Sequence, residues 1–375
     1  MIYLDYNATT PVAPEAAEAL LAHVRGEFGN PSSDYSLGRR AREAVERSRQ
    51  EVARAIGARP EEIMFTGSAT EANNTVLKGV AWHFGKGHLI ASAVEHPAVL
   101  QPLSFLLSEG FAVTLVPVDG EGRVDPDEVR RALRPDTILI SIMHANNETG
   151  AVQPIAEIGA VAREAGVWFH TDAAQSLGKI PVNVEELQVD FLTLAGHKCY
   201  APKGVGALYV RSGCDFVPLL HGGGQEGGRR SGTENVPHLA ALGEACRLVR
   251  ERLVQDQKHM RALRDRLHQR LQEGFPSLVL NGPQEERLPN TLNVSFSGLS
   301  GRAILEGIPE LAASLGAACH GAEEKPSAVL TAMGRSPETA LGAVRLSVGR
   351  YTTAEEVERA ATLIIARVRK LQKGS

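Results

Sequence analysis

The chain contains few cysteines and no pattern that would join them. Four cysteines occur among its 375 residues, and none belongs to a C-x-x-C pair. This scatter argues against a disulfide framework and against a thiolate zinc site, so we expect free thiols and no metal. The four are Cys199, Cys214, Cys246 and Cys319.

The sequence also lacks long apolar runs and a large net charge of either sign. No run approaches the roughly 20 residues that span a bilayer, and the opening MIYLDYNATT lacks the basic and apolar regions of a signal peptide. A formal net charge of −4 provides no basic stripe for nucleic acid. We therefore expect a cytoplasmic protein that acts on a small molecule or another protein, with no nucleic acid and no membrane as partner.

Short apolar runs alternate with amphipathic segments between residues 60 and 210. Runs rich in Val, Ile, Leu, Phe and Thr, separated by stretches of helical spacing, predict βα units and a mostly parallel sheet covered on both faces. We therefore predict an α/β fold. The runs are EIMFT, HLIASAV, AVTLVPV, TILISIM, VWFHTDA, DFLTLAG and GALYVR.

The rest of the sequence predicts helices before this sheet and a second unit after it. Two amphipathic segments precede the first run, and the second of them ends at Gly57. A charged, Leu-rich pattern from Asn235 to about Glu273 predicts a long linking helix, followed by the runs SLVLN, TLNVSF and AVRLSV. We divide the chain into a large domain, residues 12–255, and a smaller α+β domain formed by residues 1–11 and 256–375.

Polar residues follow the apolar runs, at the strand ends where ligands gather in α/β sheets. Residues 67–71, GSATE, open a helix whose amides and dipole suit an anion, although Ser68 or Thr70 is equally typical of an ordinary N-cap. Next along the chain come His96 and the polar stretch 144–150, HANNETG. Each of these features is weak on its own.

Two charged residues at later strand ends sharpen the hypothesis. Asp172 follows the run VWFH, where a carboxylate needs a cation or several donors. Lys198 follows DFLTLAG, where a lysine either pairs with an acid or acts as an amine nucleophile. An anion site, a histidine for stacking, an acid for a protonated ring nitrogen and an imine-forming lysine together describe pyridoxal phosphate (PLP).

Several motifs carry a family resemblance that runs from residue 3 to about residue 368. The sequence resembles the cysteine desulfurases of the class V aminotransferase group. The resemblance implies a PLP-dependent transferase of fold type I, with a seven-stranded, mostly parallel sheet and a homodimer whose active sites lie at the subunit interface. The motifs are YLDYNATTP, GNPSS, TGSATEANN, EHPAVL, MHANNETG, HTDAAQSLGK, GHKCYAPKGVGALYVR, GGGQEGGRRSGTEN, LPNTLNVSF, GAACH and VRLSVGRYTTAEEV.

Position by position, the resemblance assigns the strand-end residues to the cofactor. Lys198 matches the lysine that holds PLP covalently and then serves as base for the substrate Cα proton. His96 matches the histidine that stacks on the ring, and Asp172 the carboxylate that pairs with the ring nitrogen. The other implied contacts are Gln175 on the phenolic oxygen, Asn147 on the ring, Ala69, Thr70 and His197 on the phosphate, and Thr233 on the phosphate of the partner subunit's site.

The resemblance also implies a substrate side. Arg345 matches the arginine that grips the substrate α-carboxylate, a task suited to a bidentate guanidinium, and Asn147 also contacts the substrate. Cys319 matches the thiol that takes the sulfur as a persulfide, leaving alanine, and only its thiolate is competent. The neighbouring His320 is either a proton acceptor for that thiol or a solvated loop residue.

The residues around Cys319 distinguish a nucleophilic thiol from a buried structural one. A buried thiol often acts as a small hydrophobe, but small residues, charges and a proline predict a flexible loop over residues 314–326, which favours the nucleophile. The remaining cysteines are predicted to be structural. Cys199 in particular has no predicted part in the reaction, although it adjoins Lys198.

Two departures from the family pattern leave the reaction open. Ala195 stands where many members have a phosphate-binding Ser; together with GAACH, this is more similar to the selenocysteine lyase branch, whereas EHPAVL is more similar to the sulfur-mobilising branch. We expect a desulfurase that converts L-cysteine to L-alanine and passes sulfur to an acceptor protein. The alternatives are a selenocysteine lyase that acts on L-selenocysteine and supplies a selenium acceptor, and a non-catalytic scaffold.

Overall fold

The computed structural model describes residues 1–315 and 325–373. Cys319 and His320, and most of the loop expected over 314–326, lie outside the described residues. The described strands are β1 (Ile2–Tyr3), β2 (Ile63–Thr66), β3 (His88–Ser92), β4 (Ala112–Val116), β5 (Thr137–Ser141), β6 (Trp168–Asp172), β7 (Phe191–Ala195), β8 (Gly206–Val210), β9 (Val279–Leu280), β10 (Thr291–Ser295), β11 (Leu311–Ala312) and β12 (Ala343–Ser347). The described helices are α1 (Pro14–Arg25), α2 (Ser36–Ile56), α3 (Ala69–Phe84), α4 (Pro97–Ser108), α5 (Pro126–Ala132), α6 (Ile155–Ala165), α7 (Val236–Gly274), α8 (Gly301–Glu306), α9 (Ala328–Ala332), α10 (Pro337–Leu341) and α11 (Ala354–Lys373).

The large sheet has seven strands in the order β2-β8-β7-β6-β5-β3-β4. Only β8 runs antiparallel to its neighbours, so the predicted α/β fold with a mostly parallel sheet is confirmed. All seven apolar runs form its strands. The carboxyl ends of β2, β3, β5, β6 and β7 therefore share one edge, which is where the candidate residues follow.

Both faces of this sheet are buried, which explains why its apolar runs lack strict alternation. In β2, Ile63 and Phe65 belong to the core formed with α1, α2 and α7. Met64, between them, belongs to the core formed with α3 and α4 on the opposite face. Helices thus cover the sheet from both sides and leave the strand ends as the accessible edge.

Two small sheets form a second layer with the end of the chain. Strands β12, β10 and β9 pair antiparallel, and β1 pairs with β11 in parallel. A bridge between Asp5 and Ser347 connects the two small sheets. Neither β1 nor β11 was predicted, because two-residue strands carry no periodic signal.

Helix α7 runs through both layers. Its apolar residues up to Val249 pack in the core of the large sheet, whereas those from Met260 onward pack with β10, β12 and α11. The predicted division between residues 255 and 256 falls inside this continuous helix, and it stays a prediction. Within the described part of the chain, no helix is long and apolar enough to cross a membrane.

Candidate active site

Lys198 lies in the short 3-10 turn that directly follows β7. Its Nζ donates to the carbonyl oxygens of Asn7 and Ala8, the second at 2.8 Å. Burial, and to a smaller extent the positive charge of Arg345, lower the pKa of this amine from 10.5 to about 8. A substantial fraction of Lys198 is therefore neutral near physiological pH, which an amine nucleophile requires.

The turn before Lys198 leaves no room for a side chain. A Cβ on Gly196 would lie 2.9 Å from the carbonyl oxygen of Val205, in the loop that leads into β8. Ala195, at the position where many relatives have Ser, is the last residue of β7 and is 4% exposed. The packing of β7 against the next loop thus accounts for the Gly of this Ala-Gly pair.

Asp172 is the last residue of β6 and is buried. Its Oδ2 accepts a hydrogen bond of 2.7 Å from Asn73 Nδ2, and its Oδ1 accepts one of 2.9 Å from the backbone N–H of Ala174. These donors hold the carboxylate in place at the strand end. Its charge acts electrostatically on both Lys198 and His96, which places the three groups around one centre.

His96 follows β3 and caps helix α4. Its Nδ1 accepts a hydrogen bond of 3.1 Å from the backbone N–H of Ala98, so the neutral ring carries its proton on Nε2. The ring is exposed at the edge of the site, yet the surrounding protein lowers its pKa below 6.5, chiefly by desolvation and also through Lys198. A neutral, fixed ring is suited to stacking on an aromatic ligand.

Helix α3 begins directly after β2, where the sequence left an anion site or an ordinary N-cap open. Ser68 is the N-cap and accepts from the backbone N–H of Glu71, which settles the cap in favour of Ser68. The amides of Ala69 and Thr70 come at the first two helical positions, where no intrahelical acceptor exists. Thr70 and His96 line the same groove between α3 and α4. An anion at these amides would therefore lie beside the His96 ring.

His197 and Gln175 surround the lysine from other sides. His197 Nδ1 lies 3.2 Å from the hydroxyl of Thr9, and burial lowers the pKa of this imidazole to about 4, so it is neutral. Gln175 is buried, and its Nε2 donates to the carbonyl oxygen of Asn7 at 3.0 Å. Both residues reach the site through the amino-terminal segment, residues 5–10.

Arg345 extends the site from the small sheet. This residue of β12 is 4% exposed; its Nη2 donates to Asp5 Oδ1 at 2.7 Å and its Nη1 donates to the carbonyl oxygen of Asn147 at 3.0 Å. Asn147 itself is half-buried after β5. The guanidinium is thus oriented by the amino-terminal segment on one side and by the predicted HANNETG loop on the other.

Thr233 is exposed, and among residues 1–315 and 325–373 its side chain has no hydrogen-bond partner. Its loop is held to its own chain by Arg230, which donates to Glu71 at 2.8 Å, and by Glu226, which pairs with Arg49. The loop is thus anchored beside α3.

Several buried or half-buried residues at the site were missed by sequence reasoning. Asp5 and Asn7 lie in the motif YLDYNATTP, which served for the resemblance but received no role. Lys179, from HTDAAQSLGK, donates to Gln175 Oε1 at 2.6 Å. Glu148 accepts a hydrogen bond of 2.5 Å from Ser327, the N-cap of α9. All of these residues except Ser327 are polar residues within the motifs that carry the family resemblance, and this position in a motif could have identified them.

The described residues fit PLP. A helix start supplies two free amides for a phosphate, a buried carboxylate lies at a strand end, and an amine of lowered pKa interacts electrostatically with that carboxylate and with a guanidinium. Among the described residues, no group of His, Cys, Asp or Glu is arranged to hold a metal ion.

Comparisons with known proteins agree with this geometry. The family model described as Aminotransferase class-V matches residues 2–360. The cysteine desulfurase IscS of Dictyoglomus turgidum is 46% identical over 378 residues, which cover 99% of this chain and 95% of that protein. The solved structure of a NifS-like protein has a TM-score of 0.92 and 37% identity, and each chain is covered completely.

A further solved structure, of SspA in complex with cysteine, has a TM-score of 0.83 and 38% identity over 94% of this chain and 100% of that one. Both structures share the seven-stranded architecture found here, and the resemblance stated from the motifs is confirmed. With a family model that spans nearly the whole sequence and relatives of this identity, the chain belongs to the cysteine desulfurases of the class V aminotransferase family.

Proposed function

We propose that this chain is a PLP-dependent cysteine desulfurase that converts L-cysteine and its own Cys319 thiol into L-alanine and a Cys319 persulfide. The class V aminotransferases to which it belongs are PLP-dependent enzymes. The observation that carries the proposal is the environment of Lys198, an amine with a pKa of about 8 on which both Asp172 and Arg345 act. In this proposal Lys198 is the nucleophile and Asp172 the ring partner, both at strand ends of the large sheet, and Arg345 of the second layer is the carboxylate receptor.

The roles proposed for the cofactor side follow from the contacts. As the resemblance implies, the amides of Ala69 and Thr70, with His197, bind the phosphate, His96 stacks on the ring, and Gln175 donates to the phenolic oxygen. Asp172, fixed by Asn73 and Ala174, keeps the ring nitrogen protonated. Bound PLP supplies an electron sink for the pair of electrons left when the substrate Cα proton departs.

On the substrate side, Arg345 binds the α-carboxylate and Asn147 lines the same space. Lys198 Nζ would accept the substrate Cα proton. The Cys319 thiolate attacks the substrate Sγ, and its new S–S bond replaces the Cβ–Sγ bond. The remaining three-carbon unit leaves as alanine after protonation at Cβ and return of a proton to Cα. A sulfur-accepting protein then removes the outer sulfur from the persulfide.

One assay tests the reaction directly. Alanine formation from L-cysteine is measured with and without added thiol, which releases the persulfide sulfur as sulfide. Cys319→Ala should keep the yellow colour of bound PLP and lose sulfide release. Full cysteine turnover by this variant would refute the role of Cys319. A colourless wild-type protein that takes up no PLP would instead favour the non-catalytic scaffold.

The same assay with L-selenocysteine tests the second candidate. Ala195-Gly196 and GAACH are the residues that favour it, whereas the relatives of high identity are cysteine desulfurases. We expect substantial alanine formation from L-cysteine. A rate on L-selenocysteine that exceeds the rate on L-cysteine by several orders of magnitude would reassign the chain to the lyase.

We further propose a homodimer in which Thr233 completes the partner's phosphate site. Its support is that the exposed Thr233 side chain has no hydrogen-bond partner among the described residues of its own chain, while its loop is anchored by Arg230 and Glu226. A homodimer of Lys198→Ala subunits and a homodimer of Thr233→Asp subunits should each have low activity. In the second variant the new carboxylate repels the phosphate. Refolding the two together should restore activity, since one site of each mixed dimer is then intact. No recovery in a verified mixed dimer would place Thr233 in its own subunit's site.

A further inference from the structure

A second lysine lies buried behind the candidate site. Lys179 is 5% exposed, and its Nζ donates to Gln175 Oε1 at 2.6 Å and to Asn7 Oδ1 at 3.1 Å. Among the described residues, no carboxylate forms an ion pair with it. Burial lowers the pKa of this amine well below 10.5, and the charges of Lys198 and Arg345 lower it further. Such a costly group calls for a function.

The contact with Gln175 settles which way its amide points. The oxygen and nitrogen of a glutamine amide occupy nearly the same volume, so hydrogen-bond partners decide the orientation. The Lys179 amine donates to Oε1, and the carbonyl oxygen of Asn7, which can only accept, takes a hydrogen bond of 3.0 Å from Nε2. These two contacts together turn the donor Nε2 toward the candidate site.

Lys179 fixes Asn7 in the same manner. Asn7 Oδ1 accepts from Lys179 and, at 2.9 Å, from Asn290 Nδ2. Its Nδ2 is therefore free to donate to the carbonyl oxygen of Asn147 at 3.1 Å and to the Thr291 hydroxyl at 2.8 Å. The backbone carbonyl of the same Asn7 is an acceptor for the Lys198 amine. One buried amine thus orients two groups next to the reactive lysine.

We propose that Lys179 is a positioning residue that acts through Gln175: its Nζ holds Oε1, so that Nε2 is the group presented to the phenolic oxygen of PLP. The inference rests on the proposed function, because it takes the cofactor contact of Gln175 from there. Asn7 is a second, smaller route, since its carbonyl faces Lys198.

The expected consequence is spectroscopic. A donor on the phenolic oxygen withdraws negative charge that would otherwise retain the proton of the linkage between Lys198 and the cofactor, so it lowers the pKa of that linkage. Without Lys179 the hydrogen bond from Nε2 to the carbonyl oxygen of Asn7 is the only one among the described residues that holds the Gln175 amide, so its donor is less firmly presented to the phenolic oxygen. Weakening of this donor raises the pH at which the visible band of the holoenzyme changes.

The experiment is a pH titration of the visible band in wild-type, Lys179→Met, Gln175→Leu and doubly substituted holoenzyme. We expect each single variant to raise the midpoint by about half a pH unit or more, and the double variant to shift by clearly less than the sum. A Lys179→Met midpoint equal to that of the wild type, or fully additive shifts, would overturn the inference. If Lys179→Met does not fold, Lys179→Gln keeps a polar end without the charge and is read by the same criterion.

A matched control separates positioning from general loosening. Arg264 is likewise a buried cation, 5% exposed, but it bonds to Leu288 and Asp265 in the second layer. Arg264→Met should lower the melting temperature and leave the midpoint unchanged; an equal shift there would refute a specific role for Lys179. If wild-type holoenzyme titrates as expected but forms no alanine, the proposed function fails alone. If the chain binds no PLP, both fail.

Discussion

The strand-end residues and the amino-terminal segment build the same site by different means. His96 and Asp172 are oriented by backbone amides only two residues away. Asn7, in the amino-terminal segment, instead donates its backbone N–H to Ser347, 340 residues later in the chain. His96 and Asp172 at the strand ends are thus oriented by local structure. The amino-terminal segment is held by contacts that exist only in the folded chain.

The charged groups of the site also come from both the strand ends and the amino-terminal segment. The strand ends carry Lys198 and Asp172, whereas Asp5 in the segment orients Arg345, which comes from the second layer. The pKa of Lys198 responds to both sides, because Arg345 lowers it while Asp5 and Asp172 raise it. Chemistry at the sheet edge therefore depends on how the segment is held.

The largest effect is expected at the strand end itself. Lys198→Ala should abolish covalent attachment of PLP and reduce alanine formation on the order of a thousandfold or more, because both nucleophile and base are removed. Borohydride trapping and the alanine assay measure these losses. Lys203→Ala, an exposed lysine five residues later, is the control and should retain turnover. Comparable losses in both variants would contradict a special role for Lys198.

The next largest effect is expected at the junction with the second layer. Arg345→Lys should raise KM for L-cysteine on the order of tenfold or more, since a point charge does not replace a guanidinium that also bonds to Asp5 and Asn147. PLP absorbance should not change. Steady-state kinetics measure this change. The control is Arg335→Lys, because Arg335 contacts Gly120 and Leu280 away from the site. An unchanged KM would remove Arg345 from substrate binding.

The amino-terminal segment is tested by Asn7→Ala. This buried side chain bonds to four groups, and leaving them unsatisfied should cost about 1–3 kcal/mol and lower the melting temperature by several degrees. Turnover should fall as well, because the carbonyl that receives Lys198 loses its support. Asn183→Ala, whose side chain bonds only within its own turn, should change neither quantity. Full activity in Asn7→Ala would show that the segment is passive.

A smaller effect is expected in the pH dependence of PLP attachment, on which Arg345 and Asp5 act in opposite directions. Only the neutral amine attacks the cofactor aldehyde, so the rate of PLP attachment to apoprotein should rise with pH and level off above about 8, the pKa of Lys198. Arg345→Met removes a repelling cation and should raise the midpoint. Asp5→Asn removes a carboxylate that favours the charged amine and should lower it. Stopped-flow absorbance follows the rate, and identical midpoints would exclude both influences.

The smallest effect is expected at Cys199, the neighbour of Lys198. This thiol is 1% exposed and donates weakly to the carbonyl oxygens of Ala195 and Gly196. Cys199→Ala should cost about 1 kcal/mol of stability and leave cysteine turnover nearly unchanged. Thermal melts and the alanine assay, run beside Cys319→Ala, compare the two. A large loss of turnover in Cys199→Ala alone would reverse the predicted assignment.

Much of the large sheet was predictable because its signals are local. Each apolar run became a strand, and Gly57 ends α2 in the left-handed conformation typical of such a position. His96, Asp172 and Lys198 could be proposed because a strand end in a parallel sheet has a known location relative to its neighbours. The roles of Gln175 and Arg345 came from the resemblance, since nothing in their local sequence indicates a partner.

The sequence by itself determined the seven strands of the large sheet and the set of groups at their carboxyl ends, because apolar periodicity and short-range caps act between near neighbours. Only the tertiary structure brought Asp5 to Arg345 and Asn7 to Lys179, across separations of 340 and 172 residues. Such contacts are selected by the burial of both partners together, and a buried polar group is stable only where its acceptor arrives from elsewhere in the fold. For this reason the reactive lysine was identified in the sequence, whereas the amine behind it was found only in the structure.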